Sequence, residues 1–142
     1  MSKQVLSIEQ MHNLQELGVD TSKTNFYWHR TKSLNNYQEW DEWKLHYGVL
    51  KLARGFKAIN CEYVRTFTLQ DILDLLPSEI KENSECNILS IDKFSDYWYV
   101  RYELSDEFEP LISFEFKELI DASYKMLCWC IENGHVKTNN ED

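Results

Sequence analysis

Glycine is scarce in this chain, with four in 142 residues. A phosphate cradle of backbone amides draws on several glycines in one loop, and there is no Gly-rich phosphate loop or Walker motif here. Gly-x-Ser-x-Gly and His-Glu-x-x-His are also missing, so the common nucleophile elbow and zinc protease signatures are excluded. No apolar run approaches the roughly 18 residues that a membrane-spanning helix takes. The opening MSKQVLSIEQMHN has no apolar segment of the secretory kind, so a soluble cytoplasmic protein is expected. Basic residues are in deficit, 15 against 24 acidic, for a formal net charge of −9 and a pI near 4.9. That balance argues against nucleic acid and anionic membrane as partners, because both are held by clustered Lys and Arg. Surplus carboxylates ordinarily serve solubility; their specialised use is to mimic the phosphates of a nucleic acid.

The four cysteines show no two-residue gap of a zinc knuckle or redox motif. Cys128 and Cys130 stand close in MLCWCIE, but two residues on a helix is a rotation of about 200°. They point to nearly opposite sides and cannot share a metal or a disulfide. His12, His29, His46 and His135 are scattered, with no His-x-x-x-His spacing. No metal and no cofactor is expected, and the thiols are expected to be free and mostly buried.

Aromatic residues are abundant by contrast, with Trp 5, Tyr 8 and Phe 7. With 43% apolar residues they place the chain among folded globular proteins. The length suits one domain, taken as residues 1–136, with KTNNED (137–142) as a disordered tail. Three helices are well punctuated. Ser7 and Gln10 form a capping box for the first, Leu6 and Met11 a hydrophobic staple, and Gly18 with Val19 a Schellman ending. Thr68 and Asp71 cap the second, stapled by Phe67 and Ile72, and SEIKEN after Pro77 reads as one further helical turn. The third runs from about Phe116 to Asn133. Its apolar stripe is Phe116, Leu119, Ile120, Ser123, Leu127, Cys130 and Ile131, with Asp121 and Lys125 spaced to pair one turn apart.

The strands read less sharply. NFYWHR and EWKLHYG suit an antiparallel pair, in which Trp43, Leu45 and Tyr47 alternate onto one face and are expected in the core. Residues 48–66 read as a loop with some strand near CEYV, carrying a local cluster of Lys51, Arg54, Lys57 and Arg65. CNILSIDKFSDYWYVRYEL reads as a hairpin turned at KFSD. Leu89 and Ile91 then face the same layer as Trp98, Val100 and Tyr102, with Tyr97, Tyr99, Arg101 and Glu103 on the other side. EPLISFE adds a strand. The predicted fold is α+β, a two-layer sandwich of mainly antiparallel sheet with about three helices on one face.

Three stretches, LSIEQMHNLQELGVDTS, FTLQDILDLLP and LIDASYKMLCWCIENG, resemble a family of small proteins encoded in Bacteroides genomes, phages and mobile elements. The blocks cover about a third of the chain. The resemblance implies a bacterial cytoplasmic setting and a phage or prophage origin, and it carries no activity or site residue with it. All three are helix-building units, which leaves function to the loops and the open sheet face.

Candidate chemistry is thin. A nucleophile needs a base within hydrogen-bond reach, and Cys61 with His46, or Cys128 with His135, are the pairings that can be drawn. Asp92 and Asp96 flank a turn, where aspartate ordinarily sits. The expected function is therefore a small non-enzymatic interaction or accessory protein. Tyr37, Trp40, Tyr97, Tyr99, Arg101 and Trp129 are its candidate contact residues, toward a protein partner or a second copy, since Tyr, Trp and Arg anchor interfaces. The alternatives are a small enzyme or ligand binder with a concave pocket, and an acidic mimic of nucleic acid that inhibits a host protein.

Overall fold

The computed structural model describes residues 3–32, 39–48, 61–104 and 109–139. Among them are three helices and seven strands, an α+β fold. In order they are α1 (Ile8–Glu16), β1 (Phe26–Thr31), β2 (Lys44–Tyr47), β3 (Cys61–Thr66), α2 (Leu69–Leu75), β4 (Glu79–Glu82), β5 (Glu85–Phe94), β6 (Tyr97–Glu103), β7 (Ile112–Phe116) and α3 (Leu119–Glu132). The strands divide into two antiparallel sheets, one ordered β2-β1-β3 and the other β4-β5-β6-β7.

The helix ends follow local chemistry. At α1 the Gln10 amide donates to Ser7 Oγ at 3.1 Å and the Ser7 amide to Gln10 Oε1 at 2.9 Å, satisfying two orphan donors of the first turn. Gly18 takes a φ of 93°, where a side chain would be strained. Its amide reaches the Gln15 carbonyl and that of Val19 the Leu14 carbonyl, the paired bonds of a Schellman ending. Thr68 and Asp71 repeat the capping box at α2. Leu6, Met11, Phe67 and Ile72, the two staple pairs, are all buried.

The second sheet carries the main core. On its inner face Leu89, Ile91, Val100, Tyr102, Ile112, Phe114 and Phe116 pack into the core, where β6 and β7 meet α3. The pairing of Leu89 with Tyr102 and Ile91 with Val100 places them in one layer as the alternation requires. Burial on α3 is wider than one stripe. Ala122, Tyr124, Met126 and Cys128 are buried beside the expected Ile120, Ser123, Leu127, Cys130 and Ile131. The extra side is covered by α1, whose Asn13 donates to the Tyr124 hydroxyl at 2.7 Å and lies 3.6 Å from the Cys128 sulfur. Asp121 does not pair with Lys125. It is taken by Lys3 Nζ at 2.7 Å and Gln10 Nε2 at 3.0 Å, which tie the chain start to α3.

The first sheet joins the body through the Leu6 carbonyl, which accepts from Trp28 Nε1 at 3.0 Å and Thr66 Oγ1 at 2.8 Å. The Leu6 amide donates to the Phe67 carbonyl at 3.0 Å, so the segment before α1 is laced to the exit of β3.

Two further expectations are corrected. Trp43, Leu45 and Tyr47 do share a face with Phe26, Trp28 and Arg30, but β2 is an edge strand and the core stops short of it. Leu45 and Trp43 are half-buried, and Tyr47, touching Phe26 at 4.9 Å between centroids, is 72% exposed. SEIKEN forms β4 and its turn, not helix: Ile80 is buried, its neighbours Glu79 and Lys81 are exposed, and Asn83 and Ser84 both take positive φ. That is alternation closed by a two-residue hairpin turn. The backbone amide of Asn139 donates to the Gly18 carbonyl at 2.8 Å.

Candidate functional site

The candidate contact residues fall in three separate places. Tyr97, Tyr99 and Arg101 lie on the outer face of the four-stranded sheet, opposite the face that meets α3. Trp40 lies at the return of the chain toward β2, and Trp129 lies on α3. Tyr37 falls outside the described residues.

The outer face of β5 and β6 is set by register. Phe94 pairs with Tyr97, Asp92 with Tyr99, Ser90 with Arg101 and Ile88 with Glu103. Ser95, at φ 59°, and Asp96 make the two-residue turn that holds Phe94 and Tyr97 side by side at the tip. Phe94 is 75% exposed and Tyr97 38%, while Ile88, at the far end of the face, is 52% exposed. Arg101 reaches Asp92 at 3.6 Å and Glu103 at 3.7 Å, long ion pairs, and leans over the Tyr99 ring at 5.4 Å. Lys117 stands 6.0 Å over the Tyr97 ring. Sequence reading found Tyr97, Tyr99 and Arg101 here but passed over Phe94 and Ile88. The signal was present, since both fall on the even-numbered, outward positions of β5.

Trp40 and Trp129 are engaged within the chain. The Arg30 guanidinium lies 4.7 Å from the Trp40 ring and 4.4 Å from the Trp43 ring, and donates to Glu62 Oε2 from Nε at 3.0 Å and Nη2 at 2.7 Å. Lys32 covers Trp40 as well, at 4.9 Å, and pairs with it in an isolated bridge. Both tryptophans thus brace the return from β1 to β2 through cation–π contacts. Trp129 is half-buried and stacked on His135 at 5.3 Å.

The outer face of the three-stranded sheet gathers rings that the sequence reading did not single out. Register places His46, Tyr27 and Arg65 in one row and Lys44, His29 and Tyr63 in the next. Tyr27 stacks with His46 at 5.4 Å and His29 with Tyr63 at 5.0 Å, while Tyr27–Tyr63 and His29–His46 meet edge-on at 6.0 and 5.2 Å. Partial burial holds the His29 pKa below its ordinary value, with His46 and Lys44 adding positive potential. These rings sit at the odd-numbered positions 27, 29 and 63, but the inner positions 26, 28 and 30 are also aromatic or basic, so alternation alone did not mark the outer face.

Neither drawn nucleophile–base pairing forms. His46 and Cys61 sit on opposite edge strands with β1 between them, and the rings that His46 meets are Tyr27 and His29. His135 is stacked on Trp129, and the Cys128 thiol is pushed up by burial, the reverse of activation. Among the described residues no three of His, Cys, Asp or Glu gather as a metal site. Among the described residues, open clefts of about 200, 260 and 320 Å³ mark the surface. No helix among the described residues is long and apolar enough to cross a membrane.

No protein-family model, curated protein or solved structure matches the chain.

Proposed function

We propose that this is a small non-enzymatic interaction protein which docks a protein partner on the outer face of β5 and β6. The observation that carries the reading is the hairpin tip, where Phe94 and Tyr97 lie side by side and exposed on the same face as Tyr99 and Arg101. Neighbouring exposed rings beside an arginine are what interface anchors are made of. Arg101 holds its carboxylates loosely, so a partner's carboxylate or carbonyl can displace them at small cost. The setting we propose is the bacterial cytoplasm, with the protein as an accessory or host-modulating factor of a mobile element, in line with the three helix blocks. The partner is a host protein or a second copy.

Exposure also supplies the test. Phe94→Asp and Tyr97→Asp change surface positions and shift stability by roughly 0.5 kcal/mol or less. Each is expected to abolish retention of a protein captured from Bacteroides lysate by the tagged wild-type chain, with the melting temperature unchanged. Retention of the same proteins by wild type and by the Phe94→Asp/Tyr97→Asp variant would remove this face as the docking surface.

A further inference from the structure

We propose that two copies of the chain join through their β7 strands, edge to edge and antiparallel, so that two four-stranded sheets become one of eight strands. This goes beyond the protein-docking reading, since it rests on the sheet edge and not on the Phe94 face. The phase of the strands shows which backbone groups are free. Phe94 and Tyr97 close a two-residue turn as a bonded pair, which turns the amides and carbonyls of Trp98, Val100 and Tyr102 toward β7. The Leu111 amide donates to the Tyr102 carbonyl at 2.8 Å, in agreement. Bonded pairs then fall at Trp98–Phe116, Val100–Phe114 and Tyr102–Ile112. Ser113 and Glu115 lie between them and turn both backbone groups to the outer edge, where no strand pairs among the described residues. Both residues are exposed.

A free edge invites another strand, and proteins ordinarily blunt it with shortness, lysine, proline or cover. β2 and β4 have four residues each and carry Lys44 and Lys81. β3 packs against α1. β7 has five residues, Ile112–Phe116, with neither lysine nor proline among them. Its apolar layer is also unfinished. Val100 and Tyr102, on the same inner face one strand further in, are fully buried, whereas Ile112, Phe114 and Phe116 are half-buried. Ile80 of β4, by contrast, is 3% exposed, so pairing at that edge would cover little more apolar surface.

Self-pairing of β7 has one register that suits every group. Centred on Phe114, it sets Ser113 opposite Glu115 of the second copy and Glu115 opposite Ser113, making four backbone hydrogen bonds from the free groups. Phe114 meets Phe114 in the close, unbonded position, with Ile112 opposite Phe116 on either side, so the apolar layer runs on across the join. On the outer face a serine hydroxyl meets a carboxylate, and no like charges stand opposite. A register centred on Ser113 would use the Leu111 amide, which the Tyr102 carbonyl already holds. The open end of β5 beyond β4 has no such match. Centring there sets Asp92 or Lys93 opposite itself, or calls on the Leu89 amide, which the Ser78 carbonyl already holds. The β7 pairing uses the same surface on both copies and so closes as a dimer. It also brings both Phe94 and Tyr97 tips to one side of the sheet, a surface for two-point contact.

The experiment is sedimentation equilibrium of the full chain over a wide range of concentration, with circular dichroism to check folding. A mass rising toward twice the 17.1 kDa of one chain is expected. Ser113→Pro removes an amide that makes no bond within the chain, and with it half the bonds of the join. It should raise the dissociation constant about tenfold. Ser113→Glu sets carboxylate opposite carboxylate on both sides of the axis and should weaken the dimer by a similar factor. Adding Glu115→Lys to it restores opposite charges and should return the constant to within about threefold of wild type. The Phe94→Asp/Tyr97→Asp variant should dimerise as wild type does, which separates this proposal from the docking reading. A monomer at every concentration would overturn the proposal. So would a dimer that Ser113→Glu leaves unchanged, the absence of rescue by Glu115→Lys, or loss of the dimer in Phe94→Asp/Tyr97→Asp.

Discussion

Replacing Leu127 by alanine is expected to lower the melting temperature by roughly 6 to 15 °C. Leu127 is fully buried in the middle of α3, which is covered by the sheet on one side and by the other helices elsewhere. Removing a buried leucine side chain costs about 2 to 5 kcal/mol, the transfer loss plus the cavity left behind. For a chain of this length each kcal/mol is worth roughly 3 °C. Surrounded on all sides, the site cannot collapse easily, which favours the upper half of the range. Phe94→Asp serves as the contrast, since an exposed tip position should leave the midpoint nearly unmoved. Scanning calorimetry of both variants decides it. A Leu127→Ala midpoint within about 1 °C of wild type would mean that α3 is not the central element of the core.

The second large effect is alkaline. Burial raises the Cys130 thiol from 9.0 to about 11, and its neighbour Tyr102 lies well above its ordinary value through burial and through Cys130. Tyr102 is fully buried and donates to the Pro77 carbonyl at 2.7 Å, which holds the proton further. Tyr124 is raised from 10.0 to about 12, chiefly by burial, on the α1 side of the same helix. In the unfolded chain these groups release their protons near pH 9 to 10, while in the fold they retain them. The unfolded state then binds fewer protons, so stability falls as pH rises. The stabilisation is complete below pH 9 and is lost as pH climbs through 11 and 12. One pKa unit is about 1.4 kcal/mol, so a loss on the order of 3 kcal/mol by pH 11 is expected. Urea midpoints measured from pH 8 upward check this, and Cys130→Ala should make the decline shallower. A flat profile to pH 11 would contradict the buried placement of these three groups.

What could be read from the sequence was what sequence-local chemistry determines. The capping boxes at Ser7 and Thr68, the staples and the Schellman ending at Gly18 each involve residues within a few positions of one another. The β5–β6 hairpin was legible for the same reason, since alternation and a short turn set its register. Tyr47 misled because alternation reports a face, and only the strand order reveals that this face ends at β2. Glu79–Glu82 misled because glutamate and lysine favour helix, while pairing with β5 overrides that preference. Asp121 has a partner 118 positions away, Lys3, that no local spacing could name. Of the candidate site, Tyr97, Tyr99 and Arg101 were found as a group. Trp40 read in the sequence as a loop aromatic open for contact and is a brace over Arg30 in the fold. The ring quartet of the first sheet needed three strands to come together before it existed at all.

The two outer sheet faces thus divide by character. One presents apolar and aromatic anchors among mixed charges, the other a quartet of rings with Lys44 and Arg65, bordered at one end by Asp41 and Glu42. The inner faces and α3 carry the stability, and the exposed rings add little to it.

The measurement that tests the docking claim most directly is photo-cross-linking with the chain expressed in the Bacteroides host proposed above. A benzophenone side chain would replace Phe94 in one sample and Glu132, exposed on α3, in another. The account predicts a discrete protein adduct from position 94, none from position 132, and loss of the adduct when Tyr97→Asp is added. No adduct from position 94, or the same adducts from both positions, would contradict it.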